Sequence, residues 1–185
     1  MIIGITGTNG AGKGTVVDYL VAKKGFTHYS VRSEIEEEIS RRGLELNRTN
    51  LGAVGTDLRR GYSADYFTNL FFVRAKENGV TNAVMDSIRS VAEAENVKEH
   101  GGILLVVDAD KKVRYDRAIK RDSSTDQVTF EEFCIQEDRE MVSKDPGNPA
   151  IMNMEEVIKM ADYTLQNDGT VEELHAQVDA LPIFN

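Results

Sequence analysis

The chain has 185 residues, 41% of them hydrophobic and 29% charged, with 31 acidic against 22 basic side chains and a formal charge of −9 at pH 7. That length fits one domain, and the mixture is neither disordered nor collagen-like. The single Cys134 excludes an intrachain disulfide and a Cys-based zinc site, and the acidic total argues against gripping nucleic acid over the whole surface.

The opening MIIGITG lacks the basic flank and cleavage site of a signal peptide, and no apolar run reaches 18 residues. A soluble, cytoplasmic chain is expected, monomer or homodimer, with neither membrane nor nucleic acid as partner.

Residues 1–6 (MIIGIT) predict a short buried strand, and apolar residues at Val16, Val17, Tyr19, Leu20 and Val21 predict a helix over 15–24 closed by Gly25. Residues 27–31 read as a second strand. Ser33 with Glu36 three positions on suggests a capping box opening a helix to Arg42. Helices are expected over 49–60 and 64–78, a strand over 82–85 and a helix over 91–100. ILLVVD (103–108) is the clearest central strand, with five consecutive aliphatics. Helices over 111–120 and 130–144 flank a polar break at 122–129. DPGNP (145–149) is a turn, 153–160 a short helix, TLQ near Thr164 a last strand and 171–181 a closing helix. Strands alternating with helices imply one α/β domain, a parallel sheet covered on both faces.

Between the first strand and helix stands Gly7-Thr8-Asn9-Gly10-Ala11-Gly12-Lys13-Gly14-Thr15. In that context glycines permit the positive φ that turns successive amides inward, and the helix start aims its dipole at the same anion. Lys13 is placed to reach the β- and γ-phosphates of ATP. A P-loop NTPase three-layer fold with a five-stranded parallel sheet is therefore expected. Gly14 stands where the usual pattern has Ser or Thr, so Mg²⁺ is expected to be held largely through water, with Thr15 and Asp86 nearby.

The GKGT form resembles the nucleoside monophosphate kinases, adenylate kinase among them. IRSVAEAE (88–95), Arg121-Asp122, FEEF (130–133), EDRE (137–140) and ADYTLQNDGTVEEL (161–174) resemble an archaeal family of P-loop kinases related to dephospho-CoA kinase and adenylate kinase. The resemblance spans nearly the whole chain. It implies acceptor-binding helices over about 31–78, a short lid over about 117–130, and contacts to the donor base from Asn167-Asp168-Gly169. A plain turn before the closing helix explains those last three residues as well.

Phosphoryl transfer needs cations for donor and acceptor alike. Ser30, Arg32 and Ser33, after the second strand, can hold an acceptor phosphate, although a solvated Arg opening an acidic helix accounts for Arg32 equally. The resemblance puts an acceptor-binding Arg at Arg59; a helix-end Arg favoured by the dipole is the plainer reading. Asp86 follows a strand at the carboxyl edge, where open α/β sheets bind ligands. It can orient the donor and hold Mg²⁺ through water, while Arg89 can bond an acceptor phosphate bidentately. Arg117 and Arg121, four apart on one helix face, suit a lid that closes over the transferring group and excludes water. Arg114 and Lys120 are weaker candidates, and Arg139 reads as a surface residue.

Together these predict an ATP- and Mg²⁺-dependent phosphotransferase acting on a nucleoside (or deoxynucleoside) monophosphate-like acceptor. Dephospho-CoA kinase-like activity, or an ATPase or regulatory module without kinase turnover, are the alternatives. A GTPase-like switch is disfavoured: no Asn-Lys-x-Asp segment is present, and Asp86 is followed by Ser87, Ile88 and Arg89 rather than Asp-x-x-Gly.

Overall fold

The computed structural model describes residues 1–121, 127–142, 145, 148 and 150–184. Five parallel strands form one sheet: β1 (Ile2–Thr6), β2 (Thr27–Ser30), β3 (Ala83–Asp86), β4 (Ile103–Asp108) and β5 (Tyr163–Gln166), in the order β2-β3-β1-β4-β5. The helices are α1 (Lys13–Lys24), α2 (Val31–Arg41), α3 (Arg48–Gly61), α4 (Tyr66–Glu77), α5 (Val91–Glu99), α6 (Lys111–Lys120), α7 (Phe130–Met141), α8 (Met154–Lys159) and α9 (Val171–Asp179). The expected five-stranded, doubly covered α/β fold is what forms.

Alternation along the strands divides the core into two layers. Ile3, Ile5, Val84, Leu105 and Leu165 face α1 and α9, where Val16, Leu20, Leu174 and Val178 meet them. Met85 and Leu104 face the other way, onto Ile35, Val54, Phe67, Phe71 and Val97 of α2 to α5. Gly4 points into this second layer, where a Cβ would come within 2.9 Å of Leu104 and 3.3 Å of Val97. Burial of these aliphatics at roughly 1.5–3 kcal/mol each holds the helices to the sheet.

Local signals misplaced two helix starts. Ser33 does not cap α2: Ser30 does, accepting from the Ser33 amide at 3.2 Å. Capping boxes instead open α5 (Ser90 with Glu93), α7 (Thr129 with Glu132) and α9 (Thr170 with Glu173). The first helix begins at Lys13 rather than Thr15, so the lysine belongs to its first turn. Helix α7 ends at Met141, and Val142 is extended. The remainder of the expected 130–144 helix (Ser143 and Lys144) lies outside the described residues, as do Pro146, Gly147 and Pro149 of the expected turn and residues 122–126 of the expected lid. Among the described residues no helix is long and apolar enough to cross a membrane.

The strand order positions the site. From β1 the chain runs to one edge, returns to β3 beside β1, then crosses to β4 on its far side. The carboxyl ends of β1 and β3 thus lie together at a topological switch point, where open sheets take ligands. Ile5 is in register with Asp86, so Asp86 stands beside the start of the glycine loop.

Candidate active site

The loop between β1 and α1 is held open by three glycines at positive φ: Gly7 at 136°, Gly10 at 79° and Gly12 at 101°. A Cβ on Gly7 would overlap the Val107 carbonyl, and one on Gly10 the Arg114 carbonyl. The loop therefore runs backbone against backbone between β4 and α6. No side chain caps α1, whose Ncap is Gly12, so its start faces the loop without a competing acceptor.

Lys13 Nζ donates to the carbonyls of Gly7 (2.7 Å) and Thr8 (3.0 Å), folding its ammonium back over the loop. Burial pushes its pKa down to about 8, Arg89 pushes the same way, and Asp86 and Glu140 resist. An ammonium held below its ordinary value lacks a full counter-charge, which a polyphosphate would provide.

Around this loop lies a cleft of about 490 Å³. Its cationic lining is Lys13, Arg32, Arg89, Arg117, Lys120 and Arg121, and among the described residues Asp86 is its one carboxylate. A chain of net charge −9 has thus gathered six cations around one glycine loop. Thr15, Asn9, Gly10, Gly12 and Gly14 also line it, so most of the candidate donor residues meet two of the candidate acceptor residues, Arg32 and Arg89, in a single space. Thr8 and Ala11 are buried behind the loop.

Asp86 ends β3, with His28 Nε2 3.9 Å from its Oδ2. Burial pushes its carboxyl up, but His28 and Lys13 outweigh it and hold the group below the usual carboxylate range. Its Oδ1 is buried without a hydrogen-bond partner. An orphaned anionic oxygen facing a phosphate loop, with the Thr15 hydroxyl in the same cleft, is a hard-oxygen set that fits Mg²⁺. Among the described residues no group of three His, Cys, Asp or Glu gathers to hold a metal, so water and phosphate oxygens would complete its coordination.

Arg121 and Arg117 fasten α6 over the loop. Arg121 donates to Asn9 Oδ1 at 2.6 Å, and Arg117 donates to the carbonyls of Asn167 (2.6 Å) and Gly169 (3.3 Å). Asn167 is not among the residues that line the cleft. Its Nδ2 donates to the Ala11 carbonyl at 2.8 Å, and its amide blocks any Cβ at Gly12, so it clamps the loop from behind. Arg114 is buried and paired with Glu137. It braces α6 against α7.

A second, small chamber of about 90 Å³ opens off the cleft, sharing Arg32, Ser87 and Arg89 with it. Val31, Ile35, Leu51 and Met152 make it largely apolar. Arg59 is in its wall, but donates through Nε (2.8 Å) and Nη2 (3.1 Å) to the fully buried Glu93 and lies 4.9 Å from the Phe67 ring. In the free protein Arg59 thus joins α3 to α5. Ser30 is likewise occupied as a helix cap, and Arg32 pairs with Glu36 at 2.6 Å.

Sequence reasoning missed Glu140 and Arg48. Glu140 on α7 bonds Arg89 and lies 3.1 Å from Arg48, lining the chamber with a carboxylate between two guanidiniums. Burial pushes its carboxyl up, while Arg89 and Arg48 hold it below the usual range. Within EDRE nothing distinguishes Glu140 from its acidic neighbours, because its partners are 51 and 92 residues away.

Residues 3–142 match the AAA domain family. The UPF0200 protein PAE1629 of Pyrobaculum aerophilum is 31% identical over 180 residues, covering 96% of this chain and 94% of that protein. The UPF0200 protein TK1334 of Thermococcus kodakarensis is 32% identical over 187 residues, covering 98% and 96%. Among solved structures, TT1252 from Thermus thermophilus is 25% identical with a TM-score of 0.56, over 98% of this chain and 95% of that one. Shikimate kinase from Bacteroides thetaiotaomicron has a TM-score of 0.63 at 16% identity, over 98% and 97%, a likeness of fold alone. This chain, with its glycine loop at the switch point of a parallel sheet, belongs to the UPF0200 family and, over residues 3–142, to the AAA domain family.

Proposed function

We propose that the protein is a small-molecule kinase, transferring the γ-phosphoryl group of ATP to a phosphorylated, nucleoside monophosphate-like acceptor. The observation that carries this reading is the joining of two compartments through shared arginines. The loop cleft with Lys13, Arg117 and Arg121 opens through Arg32 and Arg89 into a partly apolar chamber. A switch or an ATPase needs the first compartment and has no use for the second.

In this mechanism the loop amides and Lys13 hold the donor phosphates, and Lys13 turns from the Gly7 and Thr8 carbonyls toward them. Arg121 and Arg117 neutralise charge on the passing group from the α6 side, and α6 with its neighbours excludes water. Arg32 and Arg89 hold the acceptor phosphate in line with the donor. Asp86 and Thr15 would hold Mg²⁺, which when bound offsets charge on the phosphates. No strong general base is required, since a loose transition state places little demand on one. The relation to adenylate kinase and dephospho-CoA kinase implied by the sequence belongs to this proposal.

Coupled ADP release, measured across a panel of nucleoside and deoxynucleoside monophosphates and dephospho-CoA, tests it. At least one acceptor should stimulate release, and Lys13→Ala and Arg121→Ala should each reduce that rate at least tenfold. Loss of a charge-assisted hydrogen bond of about 1.5–3 kcal/mol sets that scale. Bound ATP with no stimulation by any acceptor would leave only a nucleotide-binding module.

A further inference from the structure

The chamber beyond Arg89 is too small for the acceptor just described. At about 90 Å³ it falls well short of the roughly 300–1,000 Å³ that small-molecule sites occupy. It continues, however, through Arg48, Gly52, Glu140 and Met152 into a groove of about 540 Å³ between α3 and α7. We propose that this groove binds the far end of the acceptor, and that the acceptor is an elongated molecule carrying a second anionic group there. The proposal rests on the kinase reading and extends it.

Two guanidiniums carry the argument. Arg60 of α3 and Arg139 of α7 both line the groove. The carboxylates of the groove are already engaged: Asp57 accepts from Arg42 at 2.6 Å, and Glu140 holds Arg48 and Arg89. Arg60 and Arg139 have no ion pair or side-chain hydrogen bond among the described residues, in a chain with 31 acidic side chains against 22 basic ones. Elsewhere the arginines take carboxylates readily, as Arg32, Arg59, Arg74 and Arg114 do. Two unpaired guanidiniums lining one groove suit an anionic group that can bond them.

Gly52 supports the continuity. A glycine inside a helix costs roughly 1 kcal/mol relative to alanine, and Gly55 of the same helix has a packing reason, since its Cβ would come within 2.8 Å of Ile35. Gly52 has none of that kind: its Cβ would meet only Met152 Cε, at 3.7 Å. What its bare backbone provides is the passage from chamber to groove.

Calorimetry on the full chain, with the donor cleft saturated by Mg·ADP, tests this with adenosine monophosphate and adenosine 3′,5′-bisphosphate as probes. The bisphosphate should bind at least tenfold more tightly than the monophosphate. The double variant Arg60→Ala/Arg139→Ala, changed only at exposed positions, should keep its melting temperature and bind the two probes alike. Equal binding by the unchanged protein, an advantage that survives the double variant, or no binding of either probe overturns the proposal. The preceding ADP titration reports separately on the kinase reading: with ADP bound and the probes equal, only the groove assignment falls, whereas no ADP binding overturns both.

Discussion

Lys13 in the free protein donates to two carbonyls of its own loop and has a pKa near 8 against 10.5 for an ordinary lysine. The folded protein therefore binds this proton less tightly than the unfolded chain does. The charge costs stability below pH 8, and the cost disappears as pH rises from 8 to 10.5. Without nucleotide, Lys13→Met should melt above the unchanged protein at pH 7, and the difference should shrink across that window; a constant difference would contradict this account. The glycines of the loop divide in the same physical way. Gly14 has negative φ and open space around its Cα, so Gly14→Ser should leave stability unchanged or raise it by up to about 1 kcal/mol. Gly10→Ala combines a left-handed φ with overlap onto Arg114 O, so it should lower the melting temperature and abolish nucleotide binding in calorimetry.

Among the elements, the pair between Arg59 of α3 and Glu93 of α5 is the most buried charge contact described. Glu93 also closes the capping box of α5 and accepts from the amide of Arg89 at 3.3 Å. Glu93→Gln leaves Arg59 uncompensated and should cost about 3–5 kcal/mol, read as a fall in melting temperature, while Mg·ADP affinity stays within a few-fold. A larger gain in affinity for phosphorylated acceptors than loss of stability would instead return Arg59 to ligand binding. This residue shows where sequence reading stops. The sheet was legible because strands such as ILLVVD are continuous and aliphatic, and the phosphate loop because its chemistry lies in nine consecutive residues. Arg32, Asp86, Arg89, Arg117 and Arg121 were found from their places after strands or on one helix face. Whether an arginine is spent on a carboxylate 34 or 51 positions away is decided by packing between helices, and local pattern is silent on that. For the same reason Asn167 could be noticed but not assigned its clamp on Ala11.

At the scale of the whole molecule, acidic excess and cationic cleft divide the electrostatics. Asp86, Glu137 and Glu140 are all held below ordinary carboxylate values, so each stabilises the fold above that range. That stabilisation should be lost progressively as pH falls below about 4.5 through their depressed values, a decline visible by circular dichroism. Near neutrality, nucleotide affinity should fall steadily between 0.05 and 0.5 M salt, because screening weakens a partly exposed cationic cleft. Flat affinity over that interval would mean that Lys13 and its arginines contribute little.

Ser87 is the one described residue other than glycine with positive φ, at 70°. It sits between Asp86, which ends a strand, and Arg89, which lines both compartments. A left-handed turn on a side chain bearing a Cβ costs roughly 1–2 kcal/mol, yet it makes the corner stiff where glycine would leave it loose. The backbone that carries Arg89 is thus stiffened at its base. With Glu140 also bonding its guanidinium, Arg89 is braced from two sides at the junction of the two compartments before any ligand enters.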